Sequence, residues 1–307
     1  MAGGCLCRCT LSLVKWFDYA APRTLAEATS LMNSHRRALL LAGGTDLLVQ
    51  LRARRKETDL VIDLKRIPEL TRIAAEADGL SIGAAVPCCE VYEHALVRKM
   101  YPSLAHTAML IGGTPIQGRA SLGGNLCNAA PSGDSIPMLI ALGAMARIAS
   151  SGGTRDVPVE TFCTAPGKNM LQPGELVVAI RLPNPPAGFG AHYERFIPRN
   201  EMDIAVVGVG ASLTVRDGLI TAARVALASV APTPLFVPEA GDSLVGKAAG
   251  DGAFAEAAAM AQAAAKPISD MRGPAEYRKH LVGVLVRRTL AAAAKEIALA
   301  VAAKEIE

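Results

Sequence analysis

Ser121-Leu-Gly-Gly-Asn-Leu-Cys-Asn-Ala-Ala-Pro-Ser-Gly-Asp134 gathers a glycine pair, two side-chain amides, a serine and a carboxylate into one short run. With no Cβ in the way, the N–H groups of Gly123 and Gly124 can approach an anion closely. Asn125 and Asn128 add donors and acceptors, and Asp134 can accept from a ribose or another hydroxyl. The apolar segment Ile136-Pro-Met-Leu-Ile-Ala-Leu142 follows. It predicts a helix with Pro137 in its first turn, so the loop would open onto a helix N-terminus where negative charge is favoured. A Gly-rich hairpin between core elements has the same composition, and this stretch alone leaves both readings open.

Upstream, Thr24-Leu-Ala-Glu27 is a capping box, and Leu25, Ala28, Leu31 and Met32 recur at helical spacing, predicting a helix over 24–34. Ala38 to Ala42 reads as a short buried strand that breaks at Gly43-Gly44-Thr45-Asp46 and resumes as a helix over Leu47 to Arg52. This is a second glycine-pair turn, with Thr45 and Asp46 expected to cap the helix. Strands are expected over 59–64, 79–86, 145–149, 154–159 and 176–182, and helices over 89–98 and 101–111. Pro183-Asn-Pro-Pro-Ala-Gly-Phe-Gly190 cannot sustain an interior helix or strand and marks a domain junction. Three β-rich runs, 191–197, 205–215 and 219–230, then precede helices over 253–265 and 276–294. Strands followed by helices give an α+β domain over 190–300.

A chain of 307 residues, 51% hydrophobic and 20% charged, is globular and long enough for two or three cores. It contains no uninterrupted apolar run of ~18 residues, so no membrane span is expected. The tail 1–15 is apolar only in short patches broken by Arg8 and Lys15, a poor secretory signal, which places the protein in the cytoplasm. A net charge of +4 with 4% aromatics gives no reason for nucleic-acid binding, and the cluster Arg52, Arg54, Arg55 and Lys56 reads as a solvated or partner-facing surface. Seven scattered cysteines argue for reduced thiols; Cys5, Cys7 and Cys9 lack the spacing of zinc or iron–sulfur knuckles. Gly241 to Lys247 nearly spells a phosphate-binding P-loop, but Ala248 stands where a Ser or Thr must ligate magnesium. Gly208-Val-Gly210 lacks the third glycine of a Rossmann fingerprint, and the five histidines form no metal or triad motif.

Leu41-Ala-Gly-Gly-Thr-Asp46 and Ser121-Leu-Gly-Gly-Asn125, with Asn128, Asp134, Tyr193-Glu-Arg-Phe196 and Asp203-Ile-Ala205, resemble the FAD-binding medium subunit of molybdenum hydroxylases. The resemblance runs from about Phe17 to Val286. It implies a non-Rossmann FAD-binding fold of the molybdopterin dehydrogenase type over 16–185, in subdomains 16–64 and 65–185, followed by the smaller α+β domain. It further implies non-covalent FAD. Leu41, Ala42, Gly43, Gly44, Thr45 and Asp46 would wrap the diphosphate, and Ser121, Gly123, Gly124 and Asn125 would meet it from the other side. Asn128 and Asp134 would hold the ADP part and its ribose, Ile111 and Ile204 would lie near the isoalloxazine ring, and Val178 would fall in a contacting strand. Arg195 stands where relatives usually have lysine, which keeps the charge and changes its shape. A large molybdenum-cofactor subunit and a small [2Fe–2S] subunit are the implied partners, in a dimer of heterotrimers through which FAD passes electrons to an external acceptor. With no cysteine-rich insertion, Cys127 and Cys163 are expected to be buried thiols. A free-standing flavoprotein of the fold group of cell-wall precursor reductases, or a flavin-free scaffold, are the competing readings.

Overall fold

The computed structural model describes residues 15–306, and the side chains of 15–299; Cys5, Cys7 and Cys9 lie outside the described residues. The first unit runs β1 (Asp18–Ala20), α1 (Leu25–Ser34), β2 (Ala38–Leu41), α2 (Leu47–Arg52) and β3 (Leu60–Asp63). Its three strands form a parallel sheet in the order β1-β3-β2, and all four residues of the central β3 are buried. Helix α1 starts as the capping box demands: Thr24 Oγ1 accepts from the Glu27 amide at 3.2 Å. The reciprocal bond falls one residue early, from the Arg23 amide to Glu27 Oε2 at 2.8 Å.

The second unit is a five-stranded antiparallel sheet, β4 (Ile73–Glu76), β5 (Gly79–Gly83), β6 (Met145–Ser150), β7 (Gly153–Pro158) and β10 (Leu176–Pro183), in the order β4-β5-β10-β6-β7. Between β5 and β6 come α3 (Cys88–Glu93), α4 (Ala95–Met100), α5 (Pro102–Met109), α6 (Thr114–Gln117), α7 (Leu122–Asn128) and α8 (Ser135–Ala141). The helix expected over 89–98 is two helices, because His94 takes an extended conformation at φ −67°, ψ 125° and ends one while starting the next. The expected polar turn at Glu76 to Gly79 is the turn of a β4–β5 hairpin. A small hairpin of β8 (Cys163–Ala165) and β9 (Lys168–Asn169) was also not anticipated.

The third unit is an antiparallel sheet, β11 (Phe189–Phe196), β12 (Val207–Arg216), β13 (Leu219–Ala228) and β14 (Leu235–Phe236), backed by α9 (Pro238–Asp242), α10 (Asp251–Ala264) and α11 (Ala275–Ile306). Helix α8 lies on the other face of β12 and β13, so closely that a Cβ on Gly210 would stand 2.5 Å from the Pro137 carbonyl oxygen. Three apolar cores result. One fills the five-stranded sheet and its helices and reaches Tyr193; one lies between β12–β13 and α10–α11; one joins the parallel sheet to Leu176 and Val178 of β10. Among the described residues no helix is long and apolar enough to cross a membrane.

Candidate functional site

The two glycine pairs face each other across one cleft, between the parallel sheet and the helical insertion of the antiparallel one. Gly43 lets the first turn touch the second region directly: a Cβ there would stand 1.7 Å from the Arg119 carbonyl oxygen. Gly44 turns the chain at φ +81°, a conformation glycine adopts without strain. Gly123 permits the second approach, since its Cβ would meet Ala84 at 2.5 Å. The cleft is lined by Ala42 to Leu47 and Gln50 on one side and by Ala84, Ile111, Ser121, Gly123, Gly124, Asn125, Cys127 and Asn128 on the other, with Lys56, Leu171 and Val177 among the remaining lining residues.

The expected loop at Ser121 is a helix. Ser121 is the N-cap of α7, accepting from the Gly124 amide at 3.1 Å, and Ala129 ends the helix in the left-handed conformation at φ 48°. The Asn125 Oδ1 accepts from Ser135 Oγ at 2.7 Å, joining α7 to α8. The expected cap on α2 is not formed: Asp46 has helical backbone angles, φ −94°, ψ −47°, and its side chain makes no capping bond. The Asp46 carboxyl is pushed up by desolvation and drawn down by Lys56. Among the described residues, no acceptor engages the amides of Gly43, Gly44, Thr45 or Gly123.

The expected residues therefore divide. Ala42, Gly43, Gly44, Thr45, Asp46, Ile111, Ser121, Gly123, Gly124, Asn125 and Asn128 line the cleft. Leu41 packs beneath the turn, 2.8 Å from where a Gly44 Cβ would be. The register of β10 shifts between Val177 and Ala179, so that Val177 lines the cleft while Val178 packs into the third core. The Val178 carbonyl accepts from the Ala84 amide at 2.8 Å. Asp134 is brought to β11 rather than to the cleft: Tyr193 Oη and Arg195 Nη1 each donate to its carboxylate at 2.7 Å. Burial pushes the Asp134 carboxyl up, against the pull of Arg195 and Tyr193. Arg195 also reaches the Asp203 carbonyl at 3.5 Å, at the base of the segment 197–206. On that segment Ile204 is exposed, and Met202, at φ 53°, lies against Gly113 beside Ile111.

Sequence reasoning missed Gln50. Its Nε2 donates to Asn128 Oδ1 at 3.0 Å, and its Oε1 is buried without a partner among the described residues. Cys127 and Cys163, expected to be buried, are only half-buried, and Cys127 lines the cleft; desolvation still pushes the Cys127 thiol up to about 12 and the Cys163 thiol up to about 11. The described residues contain no group of three or more side chains able to hold a metal.

Residues 15–185 match the FAD binding domain in molybdopterin dehydrogenase, and residues 192–293 match the CO dehydrogenase flavoprotein C-terminal domain. The chain belongs to this FAD-binding molybdopterin dehydrogenase family. As a family member it is 34% identical to the carbon monoxide dehydrogenase medium chain of Afipia carboxidovorans, over 89% of this chain and 95% of that one. It is 31% identical to the xanthine dehydrogenase FAD-binding subunit of Escherichia coli O157:H7, over 90% and 97%. The solved structure of reconstituted CO dehydrogenase from Oligotropha carboxidovorans matches it with a TM-score of 0.89 at 33% identity, covering 92% of this chain and 99% of that one. The α+β, non-Rossmann architecture is thus that of the molybdopterin dehydrogenase flavoproteins, and the chain is an FAD-dependent oxidoreductase subunit.

Proposed function

We propose that this chain is the electron-transfer subunit of a heterotrimeric molybdenum hydroxylase, passing electrons between the [2Fe–2S] clusters of a small subunit and an external acceptor. The molybdenum cofactor resides on a large subunit, and the complex is a cytoplasmic dimer of heterotrimers. The observation that carries this reading is that, among the described residues, the amides of Gly43, Gly44 and Thr45 on one wall of the cleft and of Gly123 on the other have no acceptor. Its chemistry fits a diphosphate.

Bound FAD supplies the redox chemistry, and the chain supplies binding, orientation and electrostatics. The amides of Gly43, Gly44 and Thr45 hold the diphosphate from one side and the amide of Gly123 from the other, while Gly124, bonded to Ser121 Oγ, and Asn125, bonded to the Ser121 carbonyl, shape that wall as the first turn of α7. Leu41 and Val178 brace these walls from behind. Asn128 serves the ADP part, and Ile111 and Ile204 serve the ring end. Asp134 acts through Arg195, fixing the base of the segment that carries Ile204. Asp46 is the only carboxylate and Lys56 the only ammonium on the lining among the described residues, so the cleft has a poor complement of proton donors and acceptors. That suits a relay in which the organic substrate reacts on another subunit. In this reading residues 16–64 and 65–185 are the halves of the FAD-binding domain and 190–300 the C-terminal domain.

Gly124 offers the test, because an added Cβ meets only the Ser121 Oγ, at 3.0 Å, and no backbone atom. Gly124→Leu is expected to weaken FAD binding by at least about tenfold, a loss of ~1.4 kcal/mol, with the circular dichroism unchanged. Full flavin retention in this variant overturns the placement of the diphosphate.

A further inference from the structure

We propose that the recess between residues 15–17 and the end of α2 is a docking surface for an acidic segment of another subunit, anchored there by an apolar side chain. This rests on the multisubunit reading above. The recess encloses about 1010 Å³ and shares only Lys56 with the glycine cleft among the described residues. Helix α2 separates the two spaces. Leu47 and Gln50 face the cleft, while Leu48, Leu51 and Arg52 face the recess, as residues three and four apart on one helix do.

Charge states what fits. The described lining carries Lys15, Arg52, Arg54 and Lys56 against one carboxylate, Glu57. That carboxylate is already engaged, with Lys15 at 3.5 Å and Arg37 at 3.2 Å. Arg54, Arg55 and Lys56 are exposed and make no ion pair among the described residues. Arginines elsewhere are matched within the chain: Arg181 lies between Glu76, Asp78 and Asp156, and Arg147 beside Asp156. An excess of cations left unmatched on one face attracts an anionic partner and steers its approach.

Arg54 adds a second, independent observation. It follows the C-cap Ala53 of α2 and takes the left-handed conformation at φ 52°. The Arg54 amide donates to the Leu51 carbonyl at 3.1 Å and the Arg55 amide to the Gln50 carbonyl at 2.9 Å, closing a turn in which this position favours glycine. Glycine enters that conformation without the penalty a Cβ brings. The helix end alone is therefore better served by glycine, and the exposed guanidinium serves something outside the fold.

The apolar part of the recess specifies the partner further. Trp16 is 96% exposed at its edge, Leu48 is exposed beside it, and Leu51 is buried behind it. Exposed Trp and Arg are the residue types that anchor protein interfaces. A recess with an apolar floor and a basic rim takes an inserted side chain flanked by carboxylates, whereas a flat lipid surface leaves it unfilled. Residues 1–14 contain Arg8 and no Asp or Glu, so the chain's own tail supplies no charge complement.

The experiment measures assembly with the proposed molybdenum-cofactor and [2Fe–2S] subunits for the wild-type chain, Arg54→Gly and Arg54→Gly/Arg55→Glu, at about 0.15 M and about 1 M salt. The isolated Arg54→Gly chain is expected to keep or raise its Tm. Both variants are expected to keep their flavin, since neither residue lines the glycine cleft. The dissociation constant of the complex is expected to rise about threefold for Arg54→Gly and at least about tenfold for the double variant at the lower salt. The difference shrinks at the higher salt, where charges are screened within about 3 Å. Unchanged assembly of the double variant, or an equal loss at both salt concentrations, overturns the proposal. Trp16 is the chain's only tryptophan and reports the other occupants. Its emission in the isolated chain is expected to stay the same when residues 1–14 are deleted and when phosphatidylglycerol vesicles are added. A red shift on deletion assigns the recess to the tail and a blue shift with vesicles assigns it to a membrane, and either overturns the proposal. A wild-type chain that forms no complex overturns the multisubunit reading itself, and the proposal with it.

Discussion

Arg195 and Asp134 form a buried pair, and removing one member leaves the other charge stranded. Arg195→Met is expected to cost about 3–5 kcal/mol at neutral pH. Burial already holds the Asp134 carboxyl above its ordinary 3.8, and losing its largest compensating charge raises it further. An acid whose folded pKa exceeds its unfolded value destabilises the fold increasingly as pH rises above the unfolded value, and the penalty fades as the carboxyl protonates. The Tm deficit of Arg195→Met is therefore expected to shrink as pH falls from neutrality toward the ordinary carboxylate value of 3.8; a deficit independent of pH contradicts the pairing. Arg195→Lys keeps the cation and is expected to lose only about 1 kcal/mol, because a single ammonium replaces the guanidinium fork. That Arg195 turns to Asp134 was not legible in the chain, since the two residues are brought together only when β11 packs under α8. Gln50 could have been found: once α2 was predicted, its position one turn after Asp46 put it on the face turned to the glycine loop.

Helix α7 shows what composition hides. Two glycines and two asparagines argue against a helix, yet Ser121 caps it, Ala129 terminates it, and the glycines serve close approach. Gly123→Ala isolates this balance. Helix propensity alone favours alanine by about 1 kcal/mol, but the new Cβ would lie 2.5 Å from Ala84, and overpacking of that kind costs about 1–3 kcal/mol. A lower Tm for Gly123→Ala is the expected outcome, and a higher one would show that α7 and the Ala84 segment after β5 can part freely. The turn from β2 to α2 and the three strands β11, β12 and β13 were legible, because apolar runs and glycine breaks coincide there. Strand β4 and the β8–β9 hairpin were not: segments of two to four residues carry too little periodicity, and their pairing is set by β5 and by α7. Helix α11 runs to Ile306, twelve residues past its expected end at Ala294, through an Ala-rich stretch without a breaker.

Across the whole molecule, the cleft is built where the parallel sheet meets the helical insertion, so its shape depends on the junction between two of the three apolar cores. A ligand that binds only the folded cleft stabilises the chain by mass action. The relay role proposed above requires no triad or metal ligands within the chain itself. The most direct measurement is the visible absorption spectrum of the purified chain, alone and co-expressed with the proposed molybdenum-cofactor and [2Fe–2S] subunits, with acid release of the chromophore. Flavin bands near ~450 nm, released by acid as FAD and joined by iron–sulfur absorbance only in the complex, are the predicted result. A chain colourless in both preparations, or a yellow chain that turns over a substrate alone, would contradict the account.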